Sequence, residues 1–256
     1  MGISRRALVL GGVASVVGVG AAGASTLPAV RRRIGLTGPD GTVPAVPPAP
    51  VVRGHFASVA RGRDVDLAVV GDPTAPVCLV LHGRGSSSTG MLALGLPEFL
   101  AASGQRTALV TIDGGDEYWT GPSMEMLLSE LPGWLTKLGL GTPRAALGIS
   151  MGGFGALALA ARRKLDAVAA ISPALFPSWE DAKRVGGFPD ERTWEECEPL
   201  RHKAEVSARV GIWCGREDPF HDAAASYGAP VGSFDHGDHD SGYWRRVLPE
   251  ALRFIG

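Results

Sequence analysis

Along most of the chain, short apolar runs alternate with stretches of helical pattern. "VDLAVV" (65–70), "VCLVLH" (77–82), "TALVTI" (107–112), "AALGI" (145–149), "LDAVAAI" (165–171) and "VGIWC" (210–214) read as strands, with "APVGSF" (229–234) a last candidate. Several are apolar at successive positions rather than at alternate ones. Such runs are buried on both faces, as in a parallel sheet covered by helices. "ALALAARRK" (156–164) reads as one of those helices, with basic residues at its end, where they suit the helix dipole. The predicted class is α/β, a mostly parallel sheet flanked by helices.

In a sheet of this kind ligands bind beyond the carboxyl ends of the strands. The residues there are unusual. After "VCLVL" come His82-Gly83-Arg84-Gly85 and Ser86 to Ser88; after "TALVTI" comes "DGGDEYW", with Tyr118 and Trp119; after "AALGI" comes Ser150. After "VGIWC" come Gly215, Arg216, Glu217, Asp218, Pro219 and Phe220, and the last run leads into "DHGDHDSGYW", which carries His236 and His239.

Ser150 stands in Gly-x-Ser-x-Gly, a pattern too short to carry weight alone. Its setting supplies the weight. A serine hydroxyl needs an imidazole to take its proton and a carboxylate to hold that imidazole in one tautomer. Ser150, Asp218 and His239 occur in the order nucleophile, acid, base, and Ser150 falls at a strand-to-helix turn, as in a nucleophile elbow. Gly148 and Gly152 would keep that elbow clear, and Gly153 and Gly155 would let the next helix pack closely on the sheet. His236 competes with His239, and Glu217 and Asp222 compete with Asp218; Gly-x-His before Tyr243-Trp244 favours His239, and the turn-fixing Pro219 favours Asp218. The developing oxyanion would be held by the backbone N–H of Met151 and that of Arg84, with Gly85 the fallback. His82 is expected to orient the oxyanion loop and, with Gly83, Tyr118 and Trp119, to border the substrate; the two aromatics serve equally well as packing anchors. The segment between Pro173 and Arg209, with Trp179 and Trp194, reads as a small cap over the pocket.

Composition changes the picture at the amino end. Arg5 and Arg6 precede a mild apolar run, Ala7 to Ala24, that closes on Ala22-Gly23-Ala24, so residues 1–24 read as a twin-arginine export signal. The alternative is a retained membrane anchor, the chain's one expected route to a membrane. An extracytoplasmic location follows. Residues 25–52, with Pro39, Pro44, Pro47, Pro48 and Pro50, read as an extended linker, and residues 53–256 as the catalytic domain. The net charge of −1, from 25 basic and 26 acidic residues, leaves no footprint for nucleic acid. Three cysteines make no disulfide framework and no zinc-ligand spacing, so no metal or other cofactor is expected; Cys197 and Cys214 could pair in an oxidising compartment.

The segments "LHGRG", "DGGDEYW", "SELPGWL", "GISMGGFGAL", "CGREDPF" and "GDHDSGYWRRVLPEALRFIG" resemble the putative-esterase branch of the α/β-hydrolases, which includes esterase D-type S-formylglutathione hydrolases, feruloyl esterases and secreted mycolyltransferases. The resemblance covers residues 54–256 and implies an α/β-hydrolase fold with Ser150 as nucleophile, Asp218 as acid and His239 as base. The mycolyltransferases differ at or near Gly153 and use a glutamate as acid. The expected activity is hydrolysis of short-chain carboxylic esters, small-molecule or carbohydrate, through an acyl-enzyme. The alternatives are acyl transfer to a sugar or envelope acceptor, a non-catalytic binding protein, or haloperoxidase-like or dienelactone-type chemistry on the same fold.

Overall fold

The computed structural model describes residues 37–256. The expected export signal, with Arg5 and Arg6, lies outside the described residues.

The six apolar runs form strands close to where they are expected. They are β2 (Arg63–Val70), β3 (Val77–Leu81), β4 (Ala108–Ile112), β5 (Pro143–Ile149), β6 (Ala167–Ile171) and β7 (Arg209–Trp213). β3, β4 and β6 are buried at every position, as strands covered on both faces must be. The last candidate contributes only Val231–Ser233, β8. An eighth strand, β1 (Val51–Ser58), pairs antiparallel with β2, Val51 opposite Val70. The sheet order is β1-β2-β4-β3-β5-β6-β7-β8, antiparallel through β1, β2 and β4 and parallel from there on.

Helices cover both faces: α1 (Ser88–Ala93), α2 (Leu96–Ser103), α3 (Gly121–Glu125) continued through a π turn (Met126–Glu130) into α4 (Leu131–Lys137), and α5 (Met151–Ala160). Between β6 and β7 stand α6 (Trp179–Val185), α7 (Glu191–Cys197) and α8 (Pro199–His202), in the segment expected to be a small cap; none of their residues borders the cavity at Ser150. Then come α9 (His221–Ser226) and α10 (Ser241–Ile255). Two cores result, one per sheet face: the first around α5 and α3–α4, the second around α2 and α10. α5 is buried at all ten positions, so it has no polar face to show. Its basic residues fall just past its end, where Arg162 Nη1 donates to Ala158 O at 3.0 Å.

The proline-rich stretch forms no regular element over 38–50, but it lies on the domain. Gly41 N donates to Gly242 O at 2.8 Å, Ala49 N to Pro97 O at 3.1 Å, and Arg246 Nη1 to Pro39 O at 2.8 Å. Because β1 begins at Val51, the sheet takes in the last two residues of the stretch expected to be linker. Among the described residues, no helix is long and apolar enough to cross a membrane.

Candidate active site

Ser150 is the residue between β5 and α5, with φ 57° and ψ −119°. A non-glycine residue there is strained, and such strain collects at functional sites. The turn is held from several sides: Ser150 N donates to Ile171 O at 2.9 Å, and Ser150 O accepts from Phe154 N and Ala174 N, each at 3.1 Å. The flanking glycines are required by space. A Cβ on Gly148 would stand 1.9 Å from Gly152 O, and one on Gly152 would stand 1.9 Å from Leu81 O. Gly155 serves a different end from the one expected: a Cβ there would stand 2.5 Å from the Trp119 ring, which takes its room.

The structure brings the three expected groups together. His239 Nε2 lies 2.8 Å from Ser150 Oγ, and His239 Nδ1 lies 2.8 Å from Asp218 Oδ2. Asp218 is buried at the turn after β7, where its Oδ1 also accepts from Phe220 N at 2.9 Å. Burial, the largest influence on this carboxyl, would raise its pKa; the hydrogen bonds and charge of His239, with the Phe220 N–H and Ser172 hydroxyl, outweigh it and hold the value below the ordinary one. The carboxylate is therefore ionised, and it fixes the Nδ1–H tautomer that leaves Nε2 free to accept the serine proton. Of the competing residues, Glu217 pairs with His236 (2.7 Å), and Asp222 with His221 (2.9 Å).

Above Ser150 runs the loop from His82 to Ser88. A Cβ on Gly83 would stand 3.3 Å from Ser150 Cβ, so the backbone crosses directly over the hydroxyl. Gly85 N donates to Asp116 Oδ1 at 2.7 Å and is thereby engaged, which leaves Arg84 as the amide of this loop suited to an oxyanion. Met151 opens α5, and the first amides of a helix have no partner within it. The positive end of α5 points at the same place. The Arg84 side chain reaches the other way, its Nη1 donating to Val185 O at the end of α6.

The "DGGDEYW" loop is the scaffold of this arrangement rather than part of a pocket wall. Asp113 Oδ1 accepts from Ser88 N at 2.5 Å, Gly114 N donates to His82 Nε2 at 2.9 Å, and Trp119 Nε1 donates to His82 O at 3.1 Å. Three expected substrate contacts are corrected accordingly. His82 is fully buried; its Nε2 accepts from Gly114, its Nδ1–H donates to Gly83 O at 2.8 Å, and burial lowers its pKa, so it is a neutral strut. Trp119 is 0% exposed and Tyr118 4% exposed. Left-handed backbone at both positions, φ 50° and 54°, turns the rings inward, Tyr118 onto Phe154, Phe176 and Phe188. Gly83, in contrast, does line the open space at Ser150.

That space is a cavity of about 200 Å³ bordered by Gly83, Arg84, Met91, Leu94, Ile149 and Trp244 beside Ser150 and His239. Trp179 and Trp194 stand apart from it, paired on α6 and α7 at 6.3 Å. Trp244 takes the place expected of the other aromatics: its ring meets His239 edge-on, centroids 5.3 Å apart. Two larger cavities, of about 290 and 360 Å³, are lined by residues such as Arg106 and Arg144 at strand starts and Tyr227 and Val231 near the β8 edge, and contain no paired hydroxyl and imidazole. The signal for Ser172 was in the sequence: it directly follows a buried strand just as Ser150 does.

All three cysteines are free and buried, so Cys197 and Cys214 do not pair. Cys197 Sγ turns back to Thr193 O of its own helix at 2.9 Å, and burial pushes its thiol up to about 12. Among the described residues no group of three or more His, Cys, Asp or Glu side chains is placed to hold a metal ion.

Residues 101–216 match the protein family described as "Putative esterase". No curated protein matches the chain in sequence. Solved structures do match in fold. A ferulic acid esterase is 20% identical over 81% of this chain and 98% of its own, with a TM-score of 0.67. An S-formylglutathione hydrolase from Agrobacterium tumefaciens is 14% identical over 84% and 99%, with a TM-score of 0.67. The fluorophosphonate-binding serine hydrolase F of Staphylococcus aureus, with substrate bound, is 16% identical over 82% and 99%, with a TM-score of 0.65. At these identities the likeness is one of fold.

Proposed function

We propose that the chain is a serine carboxylic-ester hydrolase of the putative-esterase family, on the match of residues 101–216 to that family and the fold shared with solved esterases. The observation that carries the reading is the unbroken hydrogen-bonded line Ser150–His239–Asp218, with its hydroxyl end facing a cavity.

In this reading Ser150 Oγ attacks the ester carbonyl while His239 Nε2 takes its proton. The carbonyl oxygen gains charge and is met by the amides of Met151 and Arg84. Collapse breaks the bond to the alcohol, which leaves with the proton from His239, and the acyl group stays on Ser150. A water molecule, deprotonated by the same imidazole, repeats the sequence and frees the acid. Asp218 keeps its charge throughout and holds the imidazolium that forms between steps.

The cavity supports a short acyl group. Its volume of about 200 Å³ is small, and Met91, Leu94, Ile149 and Trp244 give it apolar walls without a long tunnel. The natural substrate is accordingly a small-molecule or carbohydrate ester. A panel of p-nitrophenyl esters, with and without added trehalose or glycerol, tests this: acetate and butyrate should be cleaved fastest, with free acid as product. Preference for chains beyond about ten carbons, or acyl product on the sugar, would move the protein to the acyltransferases.

Export is a separate part of the proposal, supported by Arg5-Arg6 ahead of an apolar run that closes on small residues. Arg5→Lys with Arg6→Lys should trap the precursor inside the cell. Unchanged secretion would reject a twin-arginine route.

A further inference from the structure

A second serine is forced into the left-handed region. Ser172 is the first residue after β6, has φ 47°, and is fully buried. Strands β5 and β6 are neighbours and parallel, so Ser150 and Ser172 leave the sheet side by side. Serine here is strained where glycine would not be, which points to a use for its side chain.

The hydroxyl of Ser172 accepts the indole Nε1–H of Trp244 at 3.2 Å, and it is one of the groups that hold the Asp218 carboxyl below its ordinary value. The Trp244 ring in turn stands perpendicular to the His239 ring, at 89° and 5.3 Å between centroids. Phe220, whose N–H donates to the same carboxylate, puts its own ring 5.3 Å from His239. The contacts form a line: Asp218 to His239 to Trp244 to Ser172. The backbone of Ser172 is itself fixed, its N–H donating to Trp213 O at 2.7 Å.

We infer that Ser172 is a positioning residue for the Asp218–His239 pair, its hydroxyl holding the Trp244 indole and, through that ring, the plane of the imidazole. The role rests on the serine-hydrolase reading of the site. Ser172 does not border the cavity at Ser150, so it acts only through the acid and the base. The other titratable groups near Asp218 are the Cys214 thiol and the Tyr243 phenol, both pushed up by burial and hence neutral. Among these neighbours the Ser172 hydroxyl is the one that holds the Trp244 indole, accepting its Nε1–H.

Two variants isolate the hydroxyl. Ser172→Ala removes it and keeps the Cβ; Ser172→Gly removes it and relieves the backbone strain, so that folding is not at risk. In both, kcat should fall about tenfold, as expected for the loss of one hydrogen bond, with KM nearly unchanged. The acid limb of the kcat/KM profile should move to higher pH, because an Asp218 carboxylate without the stabilising influence of that hydroxyl pulls harder on the imidazole proton. A loss of folded protein would lower the rate without moving that limb. The Nδ1 proton of His239, read by NMR, should shift in both variants whether or not any ester turns over. An acid limb and an Nδ1 resonance unchanged in Ser172→Gly would overturn the inference. Wild-type protein that cleaves no ester would refute the hydrolase reading instead, and the Nδ1 proton would then decide the role of Ser172 by itself.

Discussion

Glu217 and Asp218 are adjacent in the chain and hold different histidines: Glu217 Oε1 is 2.7 Å from His236 Nδ1, and Asp218 Oδ2 is 2.8 Å from His239 Nδ1. Both pairs have the same chemistry, and only one of them ends on a hydroxyl. Glu217 also accepts from Gly237 N at 2.7 Å, so its pair fastens the loop that delivers His239. His239→Ala should therefore remove nearly all turnover, while His236→Ala should cost little. Steady-state kinetics on p-nitrophenyl acetate would distinguish them, and reversed phenotypes would reassign the base.

Asp218→Asn should lower kcat roughly 10²- to 10⁴-fold by loss of tautomer and charge. The same residue ties stability to pH. Its folded pKa lies below the ordinary carboxyl value, so its stabilising contribution is present above the unfolded value and is lost as pH falls through the folded one. Melting curves of the wild type and Asp218→Asn across acid pH should therefore converge as the solution is acidified.

Glu198 predicts the opposite slope. It is fully buried in the segment between β6 and β7, where Oε2 accepts from Trp194 Nε1 at 3.1 Å and Phe176 N at 3.2 Å, and Oε1 accepts from Leu200 N at 3.2 Å. Burial, only partly offset by those bonds, raises its pKa from 4.5 to about 7. Between these values the folded chain binds more protons than the unfolded one, so this group makes stability fall as pH rises. Glu198→Gln should flatten that part of the curve of melting temperature against pH; a slope equal to the wild type's would show that Glu198 is not its source.

Trp119→Ala should act on stability rather than on substrate affinity. The ring is wholly buried between Gly114 and Gly155 and carries the bond to His82 O. Truncation should cost about 3–5 kcal/mol, visible in denaturant titration. A raised KM in protein of undiminished stability would restore Trp119 to the pocket.

The parallel part of the sheet was legible as far as β7 because its central strands, β3, β4 and β6, are buried on both faces and almost wholly apolar, whereas the short β8 is mostly exposed. β1 was not legible, since "VVRGHFAS" is mostly exposed and lies at the sheet edge, with no apolar face to reveal it. The hydroxyl, imidazole and carboxylate were legible from their order and from the strand ends they follow. Tyr118 and Trp119 were placed at the site because they follow such an end; what turns them inward is left-handed backbone, which sequence leaves unmarked outside glycine. Trp244 was hidden for the converse reason. It sits inside an amphipathic helix, whose register on His239 is set by packing of α10 against the sheet and α2 rather than by a local pattern.

The central claim is that Ser150 is an activated nucleophile, and covalent labelling tests it most directly. A fluorophosphonate probe added to folded wild-type protein should leave one adduct, located by peptide mass spectrometry on Ser150 and absent from Ser150→Ala of equal melting temperature. Folded wild-type protein that takes up no label, or takes it up at another residue, would contradict the account.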